Sequence, residues 1–170
     1  MEYKLAVNTG FAVNRYPEAD DWCAVIRNAG ARRVQFTADI LNPSLPDWIV
    51  EKKTKEIVQS CKSHELSITS TFTGAFTRVN HLAHADRDIR RYWIDWFKRF
   101  ADLTIQLGAT TMGSHFGIFS MKDDKDEELR FTRRAQNIEA WHEVAEYAKV
   151  VGIERMIWEP MSISREQGET

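Results

Sequence analysis

Apolar positions along the chain follow two periods in turn. Short runs with strand character are each followed by a longer segment whose apolar residues recur every three or four positions, as on one face of a helix. Residues 3–8 read as a strand broken by Thr9-Gly10, and Pro17 opens a helix with Trp22, Val25, Ile26 and Ala29 on one face and Gly30 at its end. Residues 33–37 form the second strand. Ser44-Leu45-Pro46-Asp47 has the form of a capping box for a second helix, with Ile49, Ile57, Val58 and Cys61 inward. Residues 66–72 predict strand three. Asp86 is an N-cap for a third helix whose Trp93, Trp96, Phe97, Phe100 and Leu107 make a heavy aromatic stripe, closed by Gly108. Residues 110–115 predict strand four. A fourth helix within 123–151 turns Ile138, Trp141, Ala145 and Ala148 inward and ends at Gly152. Met156, Ile157 and Trp158 form a last apolar run, short enough for a strand covered on both faces. That run ends on Glu159, and Pro160 stops it by removing a donor and holding the preceding residue extended.

Strictly alternating strands and helices predict an α/β fold with a parallel sheet. The first strand-helix turn has Gly10 alone, without the glycine-rich phosphate fingerprint of a doubly wound dinucleotide fold. Beside an open doubly wound sheet stands its rival, a parallel (β/α) barrel of the TIM type, here five strands and four helices of an eightfold barrel. Such barrels take about 250 residues; with 170, residues 1–170 are expected to be the amino-terminal portion of one barrel domain.

Composition narrows the classes further. The chain is 43% hydrophobic and 28% charged, ordinary for a globular core. Its net charge of -2 and pI of about 6.2 supply no basic surface for nucleic acid. No long apolar span predicts membrane insertion. Cys23 and Cys61, both among apolar neighbours in helical segments, read as free core thiols of a cytoplasmic protein.

In a barrel of this kind, the carboxyl ends of the strands and the loops after them build the site. Those positions are Asn8, Gln35 and Thr37, Thr71 and Thr73, His115 and Glu159, a polar, hydrogen-bonding mouth. His115 sits in Gly113-Ser114-His115-Phe116-Gly117, where flanking glycines permit close approach, and its imidazole can take a metal or a substrate oxygen. Glu159 is best explained as a ligand of a hard or borderline divalent cation. Glu166 and Arg165 follow it in the next loop. His81 and His84 are expected to line or cap the start of the third helix. Arg87, Arg90, Arg91 and the charge run from Lys122 to Glu128 read as solvated faces.

At these residues the chain resembles the xylose isomerase-like barrels that include sugar and sugar-phosphate isomerases and epimerases. The carriers are Asn8-Thr9-Gly10-Phe11, Gly113-Ser114-His115 and Trp158-Glu159-Pro160-Met161 followed by Arg165-Glu166. The run from Val34 to Pro46 is most similar to the tetrulose-phosphate isomerase/epimerase branch. The resemblance implies a divalent metal (Mn, Mg, Zn or Co) on Glu159, which in the epimerases also exchanges the substrate proton, with His115 near substrate or metal. It implies Glu166 on substrate hydroxyls, one residue farther from Glu159 than the family pattern. Asn8, Gln35, Arg165 and Arg15 complete the expected substrate contacts, the two arginines as a phosphate clamp. The partner is then a small sugar or sugar phosphate. Two alternatives stand beside this reading. One is an apurinic-site endonuclease on the same barrel, which needs a histidine at the end of strand three. The other is a non-catalytic half-barrel that pairs its open edges with a second copy, as a homo-oligomer, or with a missing carboxyl-terminal half.

Overall fold

A computed structural model of the chain describes residues 5–75 and 78–159. Five strands, β1 (Val7–Asn8), β2 (Arg33–Thr37), β3 (Ser67–Phe72), β4 (Thr111–His115) and β5 (Arg155–Glu159), form one sheet. Between them run α1 (Ala19–Asn28), α2 (Asp47–Ser63), α3 (Arg87–Gln106), the short α4 (Met121–Lys125) and α5 (Glu127–Val151). All neighbouring strands are parallel, and their spatial order is their sequence order. A doubly wound sheet reverses direction partway. This one never does, which is how the staves of a TIM-type barrel are laid.

Strand alternation gives the sheet two chemically distinct faces. Val34, Phe36, Ile68 and Met112 are buried and join Trp22, Ile26, Ile57 and Phe100 of the helices in one core. Through its centre runs an aromatic chain: Trp96 to Phe97 at 5.2 Å between ring centres, Phe97 to Trp141 at 4.7 Å and Trp141 to Trp158 at 5.6 Å. These edge-on and tilted pairs couple α3, α5 and β5. Asp86 caps α3 as expected, accepting from the Asp88 N–H at 2.7 Å. Gly152 ends α5 in the left-handed conformation, φ 106°, which a residue without Cβ adopts at no steric cost. Cys23 and Cys61 are free and buried, with their sulfurs 3.8 Å apart.

Several elements depart from the pattern read in the sequence. The box at Ser44–Asp47 does not form, and α2 starts at Asp47 with Pro46 at its N-cap and no side-chain cap. Asn42 takes the Ser44 N–H (2.9 Å) in an Asx turn, while the Ser44 hydroxyl bonds that of Tyr92 (3.1 Å). The expected fourth helix is two helices. Asp126 is extended and accepts from the Leu129 N–H (3.0 Å), so its carboxylate starts a new helix instead of continuing the old one. Along α5 the inward face is Asn137, Ala140, Trp141, Val144 and Ala148, and Ile138 is exposed, as is Val58 of α2. Asp123, within the charge run read as solvated, is buried beside Arg133 (3.2 Å) and Ser120. Of the first strand only Val7–Asn8 pairs, and residues 3–4 lie outside the described ones. β5, expected to be covered on both faces, leaves Ile157 and Trp158 41% and 43% exposed because it pairs with β4 alone among the described residues.

Candidate functional site

At the carboxyl edge of the sheet, Asn8 Nδ2 donates to Gln35 Oε1 (2.7 Å), and Gln35 Nε2 donates to the Ser70 hydroxyl (3.4 Å). The other end of the Asn8 amide accepts the Gly10 N–H (2.7 Å) and so starts the 3₁₀ turn Thr9–Ala12. This polar row crosses three strands on the face turned away from the helices. Farther along the same edge, His115 and Glu159 are paired register positions of β4 and β5. Residues so paired point to the same face, with strands about 4.8 Å apart.

These groups surround a cleft of about 470 Å³ that includes Asn8, Gly10, Thr37, Phe72, His115 and Glu159 in its walls. An adjoining hollow of about 340 Å³ shares Asn8, Phe72 and Glu159 and adds Gln35, Ile157 and Trp158. His115 is buried and packs its ring edge-on against Phe72, 5.5 Å between centres, whereas Glu159 is exposed to the cleft.

The segment after His115 is fastened from behind. Asn137 Nδ2 (2.9 Å) and Trp141 Nε1 (2.6 Å) both donate to the Phe116 carbonyl, and Asn80 Nδ2 donates to that of Ile118 (2.7 Å). His81, fully buried, is held neutral: burial, and then the neighbouring His115, push its pKa down to about 3. Its Nδ1 accepts the Leu82 N–H (2.6 Å), so the ring proton sits on Nε2. His84 accepts the Asp86 N–H (3.0 Å) at the entry to α3. The two histidines thus line and shape that helix start.

The mouth is less polar than the sequence predicts. Thr71 faces the helices, sharing a hydrogen bond with Thr104 of α3 (2.7 Å), and Thr73 is buried, donating to Ser114 (3.3 Å). The β3 residue that reaches the cleft is Phe72, since alternation allows only one of two neighbours to face it. Arg15 is exposed beyond the 3₁₀ turn, where its N–H bonds Ala12 O (2.9 Å), and lines neither hollow. Asp39 and Arg78, which the sequence pattern did not single out, do line the larger one. Asp39 follows strand two by two residues, a place in the strand-loop junction that could have marked it. Glu166 and Arg165 lie outside the described residues.

A model of the xylose isomerase-like TIM barrel family matches residues 23–167. The chain belongs to that family. It is 40% identical, over its whole length, to 55% of D-erythrulose 1-phosphate 3-epimerase of Brucella abortus. A solved structure from Rhodospirillum rubrum, provisionally described as a xylose isomerase, superposes with a TM-score of 0.90 at 29% identity, covering 97% of this chain and 56% of that one. A xylose isomerase-like TIM barrel protein from Mycobacterium smegmatis, in complex with magnesium, shares the fold with a TM-score of 0.59 at 19% identity, covering 91% of this chain and 54% of that one. The chain therefore spans about half the length of the relatives it matches. No helix among the described residues is long and apolar enough to cross a membrane.

Proposed function

We propose that the protein carrying this chain is an epimerase or isomerase of a small ketose or ketose phosphate, with tetrulose phosphate favoured. The observation that carries the reading is the pairing of Glu159 with His115 at one cleft, in a chain 40% identical to an erythrulose-phosphate epimerase. Glu159 would move the proton next to the ketose carbonyl as general base and acid, through an enediolate. Buried His115 would hold a substrate oxygen, with Asn8 and Gln35 on the hydroxyls. Phe72 would keep water from one side.

A carboxylate and an imidazole on neighbouring strands suit a hard or borderline divalent cation, and Glu159 is the proposed ligand. Among the described residues no group of three or more His, Cys, Asp or Glu is gathered to hold one. When bound, such an ion spreads the negative charge that proton removal leaves on the carbonyl oxygen. Manganese, magnesium, zinc and cobalt all fit the donor chemistry. Arg15, Arg165 and Glu166 remain proposed substrate contacts.

β1 and β5 each pair on one side only among the described residues, so closing the barrel requires further strands or a second copy. Free buried thiols fit a reducing cytoplasm. The endonuclease alternative asks for a histidine at the end of β3, where Phe72 faces the cleft. Incubating the whole protein with a tetrulose phosphate and resolving the epimers tests the proposal. Interconversion that stops with chelator and returns with divalent metal is expected; full activity after thorough metal removal would overturn the metal part of the reading.

A further inference from the structure

We infer that Arg78 recognises the phosphate of the substrate and is presented to the cleft by a turn that Asp39 holds in place. The inference rests on the phosphoketose reading above and names the group that would make it phosphate-specific. β3 ends at Phe72, and two residues later the backbone at Gly74 turns left-handed, φ +76°. It also runs against Asp39, since a Cβ on Gly74 would lie 1.9 Å from Asp39 Oδ2. Only glycine satisfies both conditions. The same Asp39 oxygen accepts the Ala75 N–H (3.1 Å), and the Arg78 N–H donates to Ala75 O (3.1 Å). The outcome is an exposed arginine in the wall of the cleft that holds Asn8, His115 and Glu159.

The charge pattern gives that placement meaning. Among the described residues that line the cleft, Arg78 is the single cation, set among the carboxylates of Asp39 and Glu159. A phosphate dianion entering between two carboxylates is repelled unless a cation meets it. A guanidinium offers a planar fork that fits two phosphate oxygens at once. Asp39 is already bonded to backbone, which makes it a positioning residue for the turn. A cleft of about 470 Å³ also lies within the range used by small-molecule sites, roughly 300 to 1,000 Å³.

The test compares a ketotetrose phosphate with the same ketose lacking phosphate, in the whole protein. Substrate binding is measured by calorimetry and turnover separately. Arg78→Gln is expected to weaken binding of the phosphorylated ketose about 10- to 100-fold, the size of a lost hydrogen bond to a charged group. The loss should appear in KM, with kcat and the unphosphorylated ketose nearly unchanged. Inhibition by inorganic phosphate should weaken in parallel, and Arg78→Lys should restore part of the affinity. Asp39→Ala should show the same selective loss, and Asp39→Asn, which keeps an acceptor for Ala75, should be milder. Equal loss on both ketoses, or unchanged phosphate affinity in Arg78→Gln, would overturn the inference. A wild-type protein that binds the phosphoketose through Arg78 without epimerising it would instead defeat the functional reading and leave this one standing.

Discussion

His115 and Glu159 are register partners across β4 and β5, on one face of the sheet and in the wall of one cleft. Their closeness comes from strand pairing, which fixes side-chain direction as well as spacing. Anything that slides β4 against β5 therefore separates the two groups on which the proposed chemistry rests.

Gly113 guards that register. A Cβ there would meet the Phe72 ring at 2.6 Å and Ile157 Cγ1 at 2.9 Å, two register pairs below His115 and Glu159. Gly113→Ala should cost about 1 to 3 kcal/mol of stability through overpacking. It should also lower turnover without touching a reacting group. Denaturant unfolding and steady-state rates on the same preparation check both.

The clamp on Phe116 predicts a second stability effect. Asn137→Ala removes one of the two donors to that carbonyl and should cost about 1 to 2 kcal/mol. Adding Trp141→Phe leaves the carbonyl without either donor, so the double variant should lose more than the sum of the singles by at least about 0.5 kcal/mol. A thermodynamic cycle from urea midpoints measures this coupling, and strict additivity would contradict the shared-acceptor account.

His81 makes stability depend on acid. Its folded pKa of about 3 lies below the usual 6.5, so the folded state binds fewer protons than the unfolded state. The stabilisation is complete above pH 6.5 and is lost as pH falls toward 3, by up to about 1.4 kcal/mol for each unit. His81→Phe keeps an aromatic ring beside Trp93 and Phe97 but removes the titrating group. It should be less stable at pH 7, where the Leu82 N–H loses its acceptor, and should show a shallower decline between pH 6.5 and 5. Urea midpoints across that range decide the matter.

Much of this was legible in the chain. The strand ends at His115 and Glu159, the cap at Asp86 and the aromatic stripe of α3 follow from local patterns that tertiary contacts did not override. The faces were harder. Thr71 and Phe72 are neighbours of equal strand propensity, and which of them meets the cleft depends on sheet register, including the irregularity at Val34 and Gln35. The polar mouth was accordingly over-read. The break at Asp126 hid inside a run of charges that also fits a continuous helix, and a buried Asp123 could not be told from its solvated neighbours. Arg78 was invisible for a different reason. Its place in the cleft comes from a turn that Gly74 and Asp39 make across loops distant in sequence.

Solvent deuterium exchange into a tetrulose phosphate tests the central claim most directly, because it reads proton transfer beside the carbonyl without requiring net epimerisation. The account predicts that the whole protein incorporates deuterium at the epimerised carbon and that Glu159→Gln, still folded and still binding the sugar phosphate, slows that incorporation by about 100-fold or more. Exchange at the wild-type rate in Glu159→Gln would show that another group carries the proton, and the role assigned to this carboxylate would be wrong.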